Sequence, residues 1–158
     1  MKTTIKRTCC FTGHREIPPG DKKRIQRLLE EKIRVAIDRK MAYFGVGGAI
    51  GFDTMAAKTI LKLKKEFPYI KLILVLPCKE QSERWKIKDR VVYQYLISHA
   101  DKIVYTADHY FNGCMQVRNR HLVDHSSMCI CYLTKENGGT AYTVKYAQKK
   151  QLEIIPIS

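Results

Sequence analysis

The sequence predicts an α/β fold, a three-layer domain built on a mostly parallel sheet. Short apolar runs of strand length alternate along the whole chain with amphipathic stretches of helical spacing. Leu72–Leu76 is apolar without interruption, the mark of a strand covered on both faces. Glycine turns join strand to helix at Gly47-Gly48 and again at Gly138-Gly139. At 158 residues, with no linker-like segment and no internal repeat, residues 1–158 read as one domain with a single substantial core.

Each element has its own signal. The first strand is expected over Arg7–Phe11, followed by Thr12-Gly13-His14-Arg15 and the breaker Pro18-Pro19-Gly20. From Asp21 to about Arg39, Ile25, Leu28, Leu29, Ile33, Ala36 and Ile37 recur at spacings of three and four, which is one face of a helix. Met41–Val46 is the second strand, and the next helix carries Phe52, Met55, Ala56, Ile60 and Leu63 and stops near Pro68. After Pro77-Cys78 the pattern predicts a helix from Ser82 to Ser98, then a strand at Lys102–Tyr105 and a loop over Thr106–Asn112. A helix from about Gly113 to His125, a strand at Met128–Leu133, a last helix ending near Lys150 and a closing strand at Leu152–Pro156 complete the order.

Composition narrows the classes. No apolar run approaches bilayer length, and the stretch after the basic N-terminus is too short for a signal peptide, so a cytoplasmic protein is expected. The six cysteines form no C-x-x-C pair; Cys9 and Cys10 are adjacent, and Cys129 and Cys131 alternate along one strand. That spacing fits reduced, buried thiols serving as small hydrophobes, and no metal site is expected. The formal charge of +14 admits nucleic acid, anionic metabolites or an acidic partner. Lys22, Lys23, Arg24 and Arg27 share one helix, and Lys58, Lys62, Lys64 and Lys65 another, so solvated lysine faces explain much of it.

Parallel sheets of this kind bind ligands beyond the carboxyl ends of their strands. Five successive strand ends carry polar or glycine-rich chemistry: the loop with Gly13, His14 and Arg15; the Gly47-Gly48 turn; Pro77-Cys78 with Gln81; the helix with Arg118 and Asn119; and Gly138-Gly139-Thr140. Where glycines precede a helix, unpaired N–H groups and the positive end of the dipole suit a phosphate. A plain strand-to-helix turn is the competing account of each. The first turn lacks the third glycine of a dinucleotide fingerprint, Ile50 standing in its place, and no Gly-Lys-Ser/Thr of a P-loop follows.

Arg118 and Asn119 fall within the apolar stripe of Met115, Leu122 and Val123, so the guanidinium points inward and must find a partner. That partner is either an internal acid, Asp53 or Asp101, or a ligand phosphate or carboxylate. Arg120 and Asp124 lie on the other face, where a helix ion pair accounts for them. Thr140 either caps its helix or joins the neighbouring amides on a phosphate. His14 reads as a surface histidine with Arg15 as an anion partner beside it. Asp53, just after Gly51, either hydrogen-bonds a ribose or simply favours the helix N-terminus. Trp85, the only tryptophan, stacks on a base or fills core.

With these residues in place the chain resembles the YpsA-like branch of the SLOG superfamily, the Rossmann-like group that includes DprA and the LOG (lysine-decarboxylase-like) proteins. The matching pieces are Phe11–Arg15, Gly47–Asp53, Pro77-Cys78 with Gln81 and Trp85, Cys114-Met115 with Arg118–Arg120 and Asp124, and Gly138–Thr140. The resemblance implies a Rossmann-like domain that binds nucleotides or nucleotide-derived ligands and commonly supports dimers; no cofactor beyond such a ligand is expected. The LOG relatives cleave the base from nucleoside monophosphates with a glutamate whose position is held here by Thr143. Three functions follow as expectations: binding or sensing of a nucleotide-type ligand; hydrolysis of an N-glycosidic or phosphate bond, with Asp53 or Asp124 in place of that glutamate; and single-stranded nucleic-acid binding. The third requires a basic track with exposed aromatics, for which Tyr105, Tyr110 and Phe111 are the nearest candidates.

Overall fold

The computed structural model describes residues 2–158, with side chains described from residue 4 onward. After a short N-terminal helix, α1 (Lys2–Lys6), strand β1 spans Thr8–Gly13 and leads through a 3-10 turn at Pro19–Asp21 into α2 (Lys22–Asp38). Then follow β2 (Tyr43–Val46), α3 (Phe52–Lys64), β3 (Lys71–Leu76), α4 (Ile87–His99) and β4 (Lys102–Tyr105). The chain returns through α5 (Cys114–Asp124), β5 (Met128–Tyr132), α6 (Gly139–Lys149) and β6 (Glu153–Pro156). The strands form one sheet in the order β4-β3-β2-β1-β5-β6, every neighbouring pair parallel.

The sheet alternates its side chains between two helical layers. Phe11, Phe44, Leu72, Leu74, Ile130 and others meet the apolar faces of α2, α3 and α4 in the larger core cluster. Cys10, Cys129 and Cys131 face the other way, against Leu122 and Val123 of α5 and Val144 and Ala147 of α6. Small thiols on that side leave α5 and α6 close to the strands. All six cysteines are free and buried, as their spacing suggests, and burial pushes the thiols of Cys9 and Cys131 up, the latter to about 11.

The chain runs outward from β1 to β4, then crosses back to place β5 on the other side of β1. Gly13 at the end of β1 is in register with Tyr132 at the end of β5. This reversal opens a crevice at the carboxyl edge, the usual ligand position in such sheets.

Two local differences from the sequence expectation stand out. The helix α1 forms where the sequence pattern gives no element, ahead of β1. Helix α4 begins at Ile87, five residues later than expected, because the segment before it is pinned in turns. There Glu83 N–H donates to Glu80 O at 3.0 Å and Trp85 N–H to Ser82 O at 3.1 Å, while Gln81 and Ser82 are buried.

Candidate functional site

A cavity of about 470 Å³ lies over the crevice between β1 and β5. Its walls come from the β1 end (Gly13, His14, Arg15), the turn and helix after β2 (Ala49, Asp53), and the segment after β3 (Gln81, Trp85). The α5 face supplies Met115, Arg118 and Asn119, and the β5–α6 turn supplies Gly138, Gly139 and Thr140. Five strand ends thus contribute to one space, as the sequence pattern anticipates.

Arg118 organises the floor. Its side chain is 4% exposed. Nε donates to Asn119 Oδ1 at 2.8 Å, and Nη1 donates to the Gly47 carbonyl and, at 3.5 Å, to Gln81 Oε1. Among the described residues Nη2 has only the weak sulfur acceptor of Met115, at 3.8 Å. One amino group of this buried guanidinium, which lines the cavity, thus has no oxygen acceptor among them. Burial lowers the Arg118 pKa, and the nearby Asp53 charge opposes that shift.

Asp53 sits beside it without a direct ion pair. A methyl group built on Gly47 would lie 2.7 Å from Arg118 Nη1 and 2.9 Å from Asp53 Oδ2, so the two charges flank this glycine and no side chain fits between them. Asp53 Oδ2 accepts the Ala49 N–H at 3.2 Å. Burial nevertheless pushes the Asp53 carboxyl up to about 6, against the lowering effects of Arg118 and the Ala49 amide. Asp101, the other candidate partner of Arg118, is engaged by Lys64 and by the Leu72 N–H at 2.8 Å.

The two glycine turns differ in kind. At the first, Gly47 and Gly48 are buried, and the space beside Gly48 is taken by Leu76 and Tyr93. Phe52 N–H donates to the His14 carbonyl at 3.1 Å, and Gly51, at φ 92°, packs against the Arg15 backbone so closely that a methyl there would strike its carbonyl. That turn is braced by its own chain, and it presents Ala49 and Asp53 to the cavity. At the second, Gly138 has a φ of 95° and caps α6, and side chains built on Gly138 or Gly139 would meet nothing. This turn lines the cavity. Of the expected site residues, the cavity gathers all but Gly47, which lies against Arg118, Gly48, which lies against Leu76 and Tyr93, and Gly51, which opens on the neighbouring cleft.

His14 joins the ends of β1 and β5. Its Nε2 accepts the Thr134 N–H at 2.8 Å, and its ring meets Tyr132 edge-on, with centroids 5.6 Å apart. Burial, followed by the Lys135 charge, lowers its pKa, which keeps the ring a neutral acceptor. Trp85 packs edge-on against Tyr93, at 5.0 Å between centroids, while still lining the cavity, so it serves core and site together. Gln81 donates to Tyr93 Oη at 2.9 Å.

Arg120 and Asp124 do not pair with each other. Arg120 donates to Tyr142 Oη at 2.9 Å, and Asp124 accepts from Tyr146 Oη at 2.7 Å, because α6 packs alongside and offers both phenols. Asp124 does not line the cavity; Asp53 is its one carboxylate among the described residues. Thr143 turns its hydroxyl to the Gly139 carbonyl at 2.8 Å and is buried. Sequence reasoning missed Lys135 and Asn137, which also line the cavity. Their place just ahead of Gly138-Gly139, on a strand-end loop, is the signal that marks them.

Comparison with known proteins places this geometry. The YpsA family model, described as the YspA SLOG family, matches residues 18–156. The chain belongs to that SLOG family. A UPF0398 protein of Brevibacillus brevis is 30% identical over 129 residues, covering 80% of this chain and 69% of that protein. The SPbeta prophage-derived protein YoqJ of Bacillus subtilis is 30% identical over 121 residues, covering 69% of this chain and 71% of YoqJ. Among solved structures, DNA processing protein A of Helicobacter pylori superposes with a TM-score of 0.69 at 21% identity, covering 98% of this chain and 67% of that one. The Streptococcus pneumoniae protein DprA gives 0.68 at 14% identity, covering 97% of this chain and 50% of its own. At these identities the superpositions speak for the SLOG fold. No helix among the described residues is long and apolar enough to cross a membrane.

Proposed function

We propose that this SLOG domain binds single-stranded nucleic acid and seats one nucleotide unit in the cavity over β1 and β5. The carrying observation is that the buried Arg118, whose Nη2 has only a sulfur acceptor among the described residues, lines the same space as Gly138–Thr140 at the start of α6. A phosphate lies between them, drawn by the positive end of α6 and by the exposed Arg15 and Lys135. The base lies toward Trp85, whose indole gives any base an apolar wall. The single-stranded DNA-binding mode of the Helicobacter pylori protein supports the reading by analogy of fold.

A free nucleotide is the second reading, favoured by a cavity of single-nucleotide size. Fluorescence anisotropy of a labelled oligo(dT), with thymidine 5′-monophosphate as competitor, separates the two. The expected result is retention of the oligonucleotide at low salt, a steep fall in affinity with salt, and weak competition by the mononucleotide. Tight mononucleotide binding with no retention of oligo(dT) overturns the proposal in favour of the second reading.

A further inference from the structure

A second cleft, of about 500 Å³, adjoins the first and shares Arg15 and Trp85 with it. Its rim carries Lys22 at the start of α2 and Lys58 on the outer side of α3, both exposed. With Arg15 that makes three cationic side chains, opposed by one acid, Asp89. The floor is apolar: Ile17, Ile50, Met55 and Val92. An apolar floor under a cationic rim suits a flat heterocycle joined to a phosphate, and an indole wall completes it.

The two clefts differ in depth of commitment to anions. The first has a buried guanidinium and helix amides, whereas the second has lysines on flexible stems, which attract phosphate without fixing its orientation. Arg15 and Trp85, which border both, stand where one unit of a strand would pass to the next. In the sequence Lys22 and Lys58 look like members of two solvated lysine faces, and only the packing of α2 against α3 turns them toward one opening.

We propose that this cleft is a subsite for the adjacent nucleotide of the same strand, so that the domain grips at least a dinucleotide, with Arg15 and Trp85 at the junction. The inference rests on the nucleotide reading of the first cavity. Its test uses Trp85 as the only tryptophan, with quenching of its fluorescence by thymidine 5′-monophosphate and by the dinucleotide pTpT, and calorimetry as a second readout. The chain is compared as wild type, as Lys22→Ala/Lys58→Ala, and as Lys65→Ala/Lys149→Ala. That last pair removes equal charge from the opposite edge of the sheet, where α3 and α6 end.

The wild type is expected to bind pTpT about tenfold more tightly than the mononucleotide. The Lys22/Lys58 variant is expected to lose that factor while keeping its mononucleotide affinity, and the Lys65/Lys149 variant to keep both. Equal wild-type affinity for the two probes, or equal pTpT affinity in the two double variants, overturns the subsite while leaving the first cavity standing. Failure of the wild type to bind either probe overturns the nucleotide reading and the subsite with it.

Discussion

Arg118 and Asp53 are both buried, and among the described residues neither finds a full complement of partners. Removing the guanidinium strands the Gly47 carbonyl and leaves Asp53 without its nearest positive charge. Arg118→Ala is therefore expected to cost about 3 kcal/mol, read as a lower urea midpoint at unchanged slope. A loss within the range of an ordinary surface substitution would show that the pair is solvated. The carboxyl also sets a pH dependence. Folded Asp53 holds its proton more tightly than its ordinary value of 3.8, since it titrates at about 6. Its contribution to stability is thus present below pH 3.8 and is lost as the pH rises through 6. Between those limits, protonation removes a negative charge beside Arg118 and makes the cavity more positive. Affinity for oligo(dT), whose phosphodiesters do not titrate there, is expected to rise as the pH falls through 6, and Asp53→Asn should remove that inflection. His14, whose pKa burial and the Lys135 charge lower from the ordinary histidine value, is the other titrating group on the cavity wall.

At the scale of the element, the two strand-to-helix turns divide the work. The β2–α3 turn is a brace: Gly51 at φ 92° lies against the Arg15 backbone and holds the β1 loop in place. Gly51→Ala adds a methyl in a conformation that favours glycine and against a carbonyl, and is expected to cost about 2 kcal/mol in chemical denaturation. The β5–α6 turn is the one that lines the cavity, where the proposed phosphate would sit. Gly139 has room for a side chain, and a carboxylate in the first turn of a helix favours that helix. Gly139→Asp should leave the melting temperature unchanged or slightly higher while abolishing oligo(dT) binding, because its charge occupies the phosphate position. Undiminished binding in that variant would place the phosphate elsewhere.

For the molecule as a whole, the large positive charge and the local cavity act differently. Basic residues spread over several helices attract any polyanion, weakly and with strong dependence on salt. The cavity adds contacts that exist only in the folded chain, so a ligand seated there stabilises the fold by mass action. Oligo(dT) at about a hundred times its dissociation constant is expected to raise the melting temperature by several degrees, from a stabilisation of about 2.7 kcal/mol. The Arg118→Ala variant should show no such shift at the same concentration, although it keeps nearly all of the basic surface. An equal shift in both would mean that surface charge alone carries the binding.

The order of strands and helices was legible in the residues because it rests on local periodicity: Ile25, Leu29 and Ile33 can share a buried face only in a helix, and Leu72–Leu76 reads as a strand by its length. The inward direction of Arg118 was legible for the same reason. Tertiary packing decided what local pattern does not encode. It held residues 79–86 out of helix, gave Arg120 and Asp124 separate tyrosines on α6, and turned the first glycine turn into a brace. It also brought Lys22 and Lys58, far apart in the chain and alike in sequence to any solvated lysine, to the rim of one cleft. Periodicity follows from bonds between near neighbours, whereas a binding surface follows from which distant elements touch, and only the folded chain settles that.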